Sequence, residues 1–260
     1  MEPFAENVVV LVGASRGIGE QMAYILAERG ARLVLAARSG EQLEKVALEC
    51  RKIGTVAITV VIDVADESSC LRLMRQAVCR FGRIDTLLYN AGSGSTGRFE
   101  NMPDLSPARK EVDTNYLGLV YCAYHALPYL KKSRGRIVGV ASMGALVGIP
   151  GTATYNSSKH ALRGFLNTLR AENRGTGLSV TVVYLGAVRT DAFLDQVGEN
   201  AGKVPSISPG RAAGIIIRAA ASRRRSVIPT LGSKLLVFFY TLMPALADRL
   251  LARLVTIYDK

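Results

Sequence analysis

Six short runs rich in Val, Ile and Leu divide this chain, and none of them alternates apolar with polar residues. They are Val8–Val12, Leu33–Ala36, Val56–Ile62, Thr86–Tyr89, Ile137–Ala141 and Val180–Tyr184. A strand turns successive side chains to opposite faces, so a run that is apolar throughout needs cover on both sides. Longer amphipathic stretches fall between the runs and read as helices: Ile18–Arg29, Glu41–Ile53, Ser68–Phe81, Thr114–Leu130 and Tyr155–Asn173. Strand–helix alternation at this spacing predicts a doubly wound α/β fold, a parallel sheet with helices on both faces and right-handed crossovers.

A chain of 260 residues is long enough for one large domain with a substantial core. A single domain over 1–260 is expected. Residues 7–190 form its cofactor-binding and catalytic core, 191–232 a substrate loop with the last helix and strand, and 233–260 an apolar helical tail. A hydrophobic share of 49% excludes a disordered chain. Lys and Arg outnumber Asp and Glu by 33 to 21, and the resulting charge of +12 favours anionic ligands. The bases are dispersed, with Arg223–Arg225 the one run and no aromatic-interleaved basic stripe, so nucleic acid is not an expected partner. Cys50, Cys70, Cys79 and Cys122 form no C-x-x-C, and His125 and His160 are the only histidines, so no metal site is expected. Scattered thiols and the lack of a basic, apolar leader point to a cytoplasmic protein with no signal peptide and no N-terminal anchor.

The first apolar run ends in Val12-Gly13-Ala14-Ser15-Arg16-Gly17-Ile18-Gly19 and opens directly into a helix. Gly13 permits a tight turn, Gly17 lets the backbone approach a phosphate, and Gly19 allows close helix packing; Ser15 and Ile18 complete the turn. Exposed N–H groups and the helix dipole then favour a pyrophosphate. An acid at the end of the second strand would bind a ribose diol and repel a 2′-phosphate. This chain reads Leu35-Ala36-Ala37-Arg38-Ser39 instead, and Arg16 lies in the glycine turn. Two guanidinium groups around one phosphate make charge-assisted hydrogen bonds worth about 1.5–3 kcal/mol each, which predicts NADP(H).

Further along, Asn90-Ala91-Gly92 closes the fourth strand, Asn115 lies near the start of a long helix, and Ser142 ends the fifth strand. Tyr155 and Lys159 stand four residues apart, on one face of a helix. An ammonium beside a phenol favours the phenolate, as a proton donor to a carbonyl oxygen requires. The order G-x-x-x-G-x-G, N-A-G, Asn, Ser, Y-x-x-x-K resembles the short-chain dehydrogenase/reductase family, with its Rossmann sheet, over about residues 7–190. The resemblance implies that Ser142 steadies the substrate oxygen and that Tyr155 is the acid/base. Lys159 would tune Tyr155 and hold the nicotinamide ribose, and Asn115 would support a water-linked proton relay. It adds Asp63 and Val64 as an adenine-contacting pair, then Asn90, Ala91 and Gly92, and last Val188 and Thr190, the threonine beside the nicotinamide. The family's asparagine doublet is Tyr89-Asn90 here, and its usual Pro-Gly is Leu185-Gly186. Leu185-Gly186, Gln21-Met22-Ala23-Tyr24 and Ala37-Arg38-Ser39 together look like the 11β-hydroxysteroid dehydrogenase branch, which uses NADP(H) on steroids and other bulky carbonyls. The competing reading is a non-catalytic NADP(H)-binding sensor, against which the intact Asn115, Ser142, Tyr155 and Lys159 set argues.

Residues 192–209, rich in Gly, Pro and Ser, read as a mobile substrate loop, and Gly92–Gly97 and Glu199–Ser208 read as loops. Leu146, Val147, Ile149, Ala187, Phe193 and Leu194, with Ser142 and Tyr155, are the expected pocket lining. They favour a lipophilic carbonyl or alcohol: steroid-like, a long-chain keto-lipid or a small xenobiotic. In the tail, Leu235–Met243 is too short to span a bilayer and Pro244 kinks or splits it. Three roles stay open for the tail: a core or dimer-interface helix, a lid over an apolar cleft, or a helix in a membrane interface. Arg223–Arg225, Lys234, Arg249 and Arg253 would help in the last role. The family resemblance implies a homodimer or homotetramer.

Overall fold

A computed structural model describes residues 3–252. Seven strands form one parallel sheet in the order β3-β2-β1-β4-β5-β6-β9. Their ranges are β1 (Val8–Val12), β2 (Arg32–Ala37), β3 (Ala57–Val61), β4 (Thr86–Tyr89), β5 (Arg136–Ser142), β6 (Ser179–Leu185) and β9 (Ser226–Val227). A separate ribbon pairs β7 (Ala187–Val188) with β8 (Ser206–Ile207). The strand order reverses between β1 and β4, and at that switch point the loops leaving the two strands diverge and open a crevice.

The unalternating strands have the cause expected of them. Val8, Val10 and Val12 face one layer, with α3 (Glu67–Phe81), α5 (Gly118–Lys132) and α6 (Ala153–Glu172). Val9 and Leu11 face the other, with α1 (Gly17–Glu28), α2 (Gly40–Lys52) and α8 (Pro209–Ala221). Fully burying one such side chain stabilises the fold by about 1.5–3 kcal/mol. Local signals set the helix ends: Asp66 caps α3 through the N–H groups of Ser68 and Ser69, and Gly82 closes it in the left-handed region.

Two expectations need correction. The helix predicted from Thr114 begins earlier, as α4 (Ser106–Val112), and runs through a π-helical turn at Asp113–Leu117 into α5. Pro107 at the first turn supplied the start signal. The stretch read as a loop from 192 to 209 contains α7 (Asp191–Val197), a 3-10 turn at Gly198–Lys203 and strand β8. Thr190 caps α7 by accepting the N–H of Phe193 at 3.3 Å, a threonine cap that outweighs the polar composition. The tail is two helices, α9 (Leu231–Leu242) and α10 (Pro244–Ala252), split at Met243 where Pro244 cannot continue the ladder. No residue of α9 is buried, although its Leu236 and Val237 lean on the core, while α10 buries Ala247 and Leu251. Arg223–Arg225 precede β9, whose Ser226 pairs with Val182 in the middle of β6. Arg253 lies outside the described residues. Among those described, no helix is long and apolar enough to cross a membrane.

Candidate active site

The glycine turn leaving β1 lies against the end of β2: the N–H groups of Gly13 and Ala14 both donate to Ala36 O. Gly13 and Gly17 adopt φ of 84° and 59°, in the region that favours glycine. A Cβ on Gly19 would stand 1.8 Å from Gly13 O, so only glycine lets α1 begin this close to the strand. Arg16, at the N-cap, makes no side-chain cap, which leaves the first-turn N–H groups of α1 to an outside acceptor. A pyrophosphate fits that cradle. Ser15 and Ile18 lie half-buried in the turn, and Arg16 and Arg38 are exposed beyond β1 and β2, neither paired with a carboxylate among the described residues.

Asn90 fastens the neighbouring loop, its Nδ2 donating to Gly13 O at 3.0 Å. Ala91 packs on the core beside it. Asp63 is exposed after β3 and accepts the N–H of Ala65, while Val64 is buried against Gly118. Thr190 lies beside Gly17, its Cγ2 3.2 Å from where a Cβ on that glycine would be. Val188 is buried in the layer with α1, α2 and α8, so its side chain belongs to the core.

The chemistry-bearing residues converge on the loop after β4. A Cβ on Gly92 would stand 3.2 Å from Asn115 Oδ1 and 3.4 Å from Lys159 Nζ, and one on Gly94 3.0 Å from the Tyr155 ring. Asn115 is wholly buried in the π turn. It accepts the Ser93 N–H at 2.9 Å and donates to Ser93 O and Ser158 Oγ, both at 2.8 Å. A π turn at a functional position re-aims side chains that a regular helix would bury elsewhere. It also frees carbonyls, and Tyr89 Oη takes that of Thr114 at 2.5 Å.

Lys159 Nζ donates to Val140 O at 3.2 Å and stands 5.7 Å from the centre of the Tyr155 ring. Burial pushes its ammonium down to about 8. Ser142 ends β5 and accepts the Gly144 N–H at 3.2 Å. The turn that follows is tied to α6, Arg163 Nη1 donating to Ala145 O and Asn156 Nδ2 to Ile149 O. Of the expected lining, Leu146, Ile149, Ala187 and Phe193 are half-buried and Leu194 exposed; Val147 is wholly buried in the core and lines nothing.

Sequence reasoning missed Tyr89, Ser93, Ser95, Ser158, Gln196 and Glu111. Glu111 is buried one helical turn before Asn115, and its Oε1 accepts the N–H and hydroxyl of Ser95 at 2.5 and 2.7 Å. Gln196 Nε2 donates to Gly94 O at 2.6 Å. The i, i+4 spacing of Glu111 and Asn115 is a readable signal, but only once the helix is known to start at Ser106.

Residues 7–200 match the family described as short chain dehydrogenase. The chain is 41% identical over 193 residues to 11-beta-hydroxysteroid dehydrogenase 1A of Arabidopsis thaliana, covering 72% of this chain and 55% of that protein. It therefore spans little more than half the length of that relative. Against 11-beta-hydroxysteroid dehydrogenase-like 2 of the same plant it is 33% identical over 257 residues, covering 98% and 83% of the two chains. A solved alcohol dehydrogenase from the archaeon Thermococcus sibiricus, complexed with 5-hydroxy-NADP, superposes with a TM-score of 0.79. It shares 28% identity, over 86% of this chain and 96% of that one. With the glycine cradle, the switch-point crevice and the Tyr155–Lys159 pair in one place, the chain belongs to the short-chain dehydrogenase/reductase family of oxidoreductases, in its 11β-hydroxysteroid dehydrogenase branch.

Proposed function

We propose that this protein interconverts a carbonyl and a secondary alcohol with NADP(H), on a lipophilic and steroid-like substrate. The observation that carries the reading is the meeting of Tyr155, Lys159 and Asn115 around the 92–95 loop, on the edge of the sheet where the glycine turn opens. Bound nicotinamide would supply or accept the hydride. Tyr155 exchanges the proton with the substrate oxygen, and Ser142, held at the end of β5, donates a hydrogen bond to the same oxygen. Lys159 in its charged form favours the phenolate of Tyr155, and its Val140 contact fixes where that charge sits. Asn115 holds the loop carbonyl of Ser93 and the hydroxyl of Ser158, and would support a water-linked proton relay beside Lys159.

Arg16 and Arg38 support the 2′-phosphate, with Gly13, Ser15, Gly17, Ile18 and Gly19 around the pyrophosphate. Asp63, Val64, Asn90, Ala91, Gly92, Val188 and Thr190 complete the cofactor contacts. Leu146, Ala187 and Phe193 line the substrate side. The tail supports a lipophilic substrate: Tyr240 of α9 abuts Gly148, in the turn after Ser142, so that helix borders the entrance. Its exposed Leu235, Phe238, Phe239 and Leu242 suit either a bilayer surface or a second copy in a homodimer or homotetramer. The test is a panel of steroid, keto-lipid and small quinone substrates read by NADPH absorbance. Turnover of a lipophilic ketone that falls at least hundredfold in Tyr155→Phe is expected. NADPH binding with no turnover of any carbonyl would overturn the catalytic reading.

A further inference from the structure

On the edge of the sheet away from the crevice, a cleft of about 660 Å³ opens between the end of α6 and the starts of β6 and β9. Arg170, Arg174, Arg223 and Arg225 line it, with Ser179 on its wall and no carboxylate among its lining residues. Two of the arginines have structural work. Arg170 donates to Val180 O, Asn167 Oδ1 and Arg225 O, and Arg223 donates to Gly177 O and Arg134 O. Arg174 and Arg225 are exposed and make no hydrogen bond or ion pair with their side chains among the described residues.

Like charges this close repel. Burial and the charge of Arg225 both hold the Arg170 guanidinium below its usual range, and burial with the charge of Arg223 does the same to Arg136 behind the cleft. Arg134 and Arg223 also sit at φ of 50° and 51°, an unfavourable conformation for residues with a Cβ. Ser179 Oγ is buried without a partner and is free to donate. Fold stability explains the carbonyl contacts; it does not explain two further cations brought to the same hollow with nothing to neutralise them.

We propose that this cleft is a second ligand site, for a small soluble molecule carrying a diphosphate or an equally dense anionic group. Guanidinium forks match phosphate oxygens bidentately, and four around one hollow exceed what a single phosphate requires. The volume falls in the range of small-ligand pockets. A lipid headgroup offers the same chemistry, and Arg225, bonded through its carbonyl to the middle of β6 at Val182, lies only six residues before Leu231, the first residue of α9. The hollow's volume and its four guanidinium groups favour a soluble anion, and a membrane source is an outcome of the test.

The test is calorimetric titration of the full chain with sodium pyrophosphate, on an Arg16→Ala/Arg38→Ala background that weakens competition from the dinucleotide crevice. Saturable binding is expected, weakened at least tenfold, about 1.4 kcal/mol, by Arg174→Gln/Arg225→Gln. The single variants Arg174→Gln and Arg225→Gln should each show an intermediate loss. Because neither side chain holds the fold together, melting temperatures should match. No saturable heat up to millimolar pyrophosphate, or equal affinity in the double variant, would overturn the proposal. Flotation with phosphatidylserine-containing vesicles is the second arm: dependence on Arg174 and Arg225 there, without pyrophosphate binding, would replace the soluble ligand with a membrane.

Discussion

The crevice and the tail lie side by side and are built in opposite ways. Around the crevice polar groups are buried and held: Asn115 makes three hydrogen bonds at no exposure, and Lys159 is 5% exposed with its ammonium on a strand carbonyl. Along α9 apolar groups are exposed and unheld, Phe238 at 56% and Leu242 at 62%. Burying polar groups costs free energy unless every partner is supplied, so the crevice is complete within one chain. Exposing a contiguous apolar face also costs free energy, so the tail is complete only against something else. The contrast separates a polar cluster whose partners lie within this chain from an apolar face left uncovered among the described residues.

The largest effect should come from opening the buried side of that contrast. Asn115→Leu removes both Ser93 contacts and the Ser158 contact, leaving the Ser93 N–H and carbonyl unpaired while the Ser158 hydroxyl keeps its bond to Tyr155 O. Turnover should fall about hundredfold, and stability by about 1–3 kcal/mol for each group left buried without a partner. Steady-state kinetics and denaturant unfolding read the two separately; unaltered turnover would detach the 92–95 loop from catalysis. Next comes cofactor choice at the exposed rim. NADPH should bind at least tenfold more tightly than NADH, and Arg38→Asp should narrow or invert the gap by introducing the acid that repels a 2′-phosphate. Equal dissociation constants in the unmodified protein would remove Arg16 and Arg38 from cofactor selection.

A smaller effect concerns protons. Burial holds the Lys159 ammonium at about 8 in the folded chain, against 10.5 when unfolded. The unfolded state then binds more protons between those values, so this group's contribution to stability rises with pH across that window. Below about 8 both states are protonated, and the full penalty of burying the charge remains. Lys159→Met lacks the penalty at every pH. Its stability advantage over the unmodified cofactor-free protein should therefore be largest below pH 8 and shrink toward pH 10.5. The burial-raised thiol of Cys50, at about 11, acts the other way above 9 but is common to both proteins and cancels in the difference. A constant difference would mean that Lys159 titrates normally. The smallest effect on folding belongs to the tail: Phe238→Ser/Phe239→Ser should change stability by less than about 0.5 kcal/mol per site. The same variant should reduce liposome flotation or shift the sedimentation coefficient toward a smaller species. If neither changes, the exposed face has no partner.

Much of the fold could be read directly because its signals are local. The Val8–Val12 run and the glycine turn after it each depend on neighbours within a few residues, and six strands of the sheet follow from the alternation of such runs with helices, whereas the two residues of β9 make no run of that kind. Tyr155 and Lys159 were legible for the same reason, one helical turn bringing them together. The π turn was not. Its energetic support comes from Tyr89, distant in sequence, and its close packing from Gly118, where a Cβ would stand 2.4 Å from that hydroxyl. Glu111 was passed over because it reads as a solvated helix charge until Ser95 is seen to fold back onto it.

The order of residues alone was enough to indicate the doubly wound sheet, the glycine turn after β1 and the placing of Tyr155 and Lys159 on one helix. Periodicity, capping and backbone permissiveness act over a few residues, and the chain's physics at that range is nearly closed. Which polar groups are buried with partners, where α9 rests against Gly148, and how four arginines from two separated segments come to share one cleft all depend on contacts between residues far apart in sequence. Those contacts exist only after the sheet has stacked its layers, because desolvation and electrostatic repulsion are set by who the neighbours are, not by who comes next along the chain.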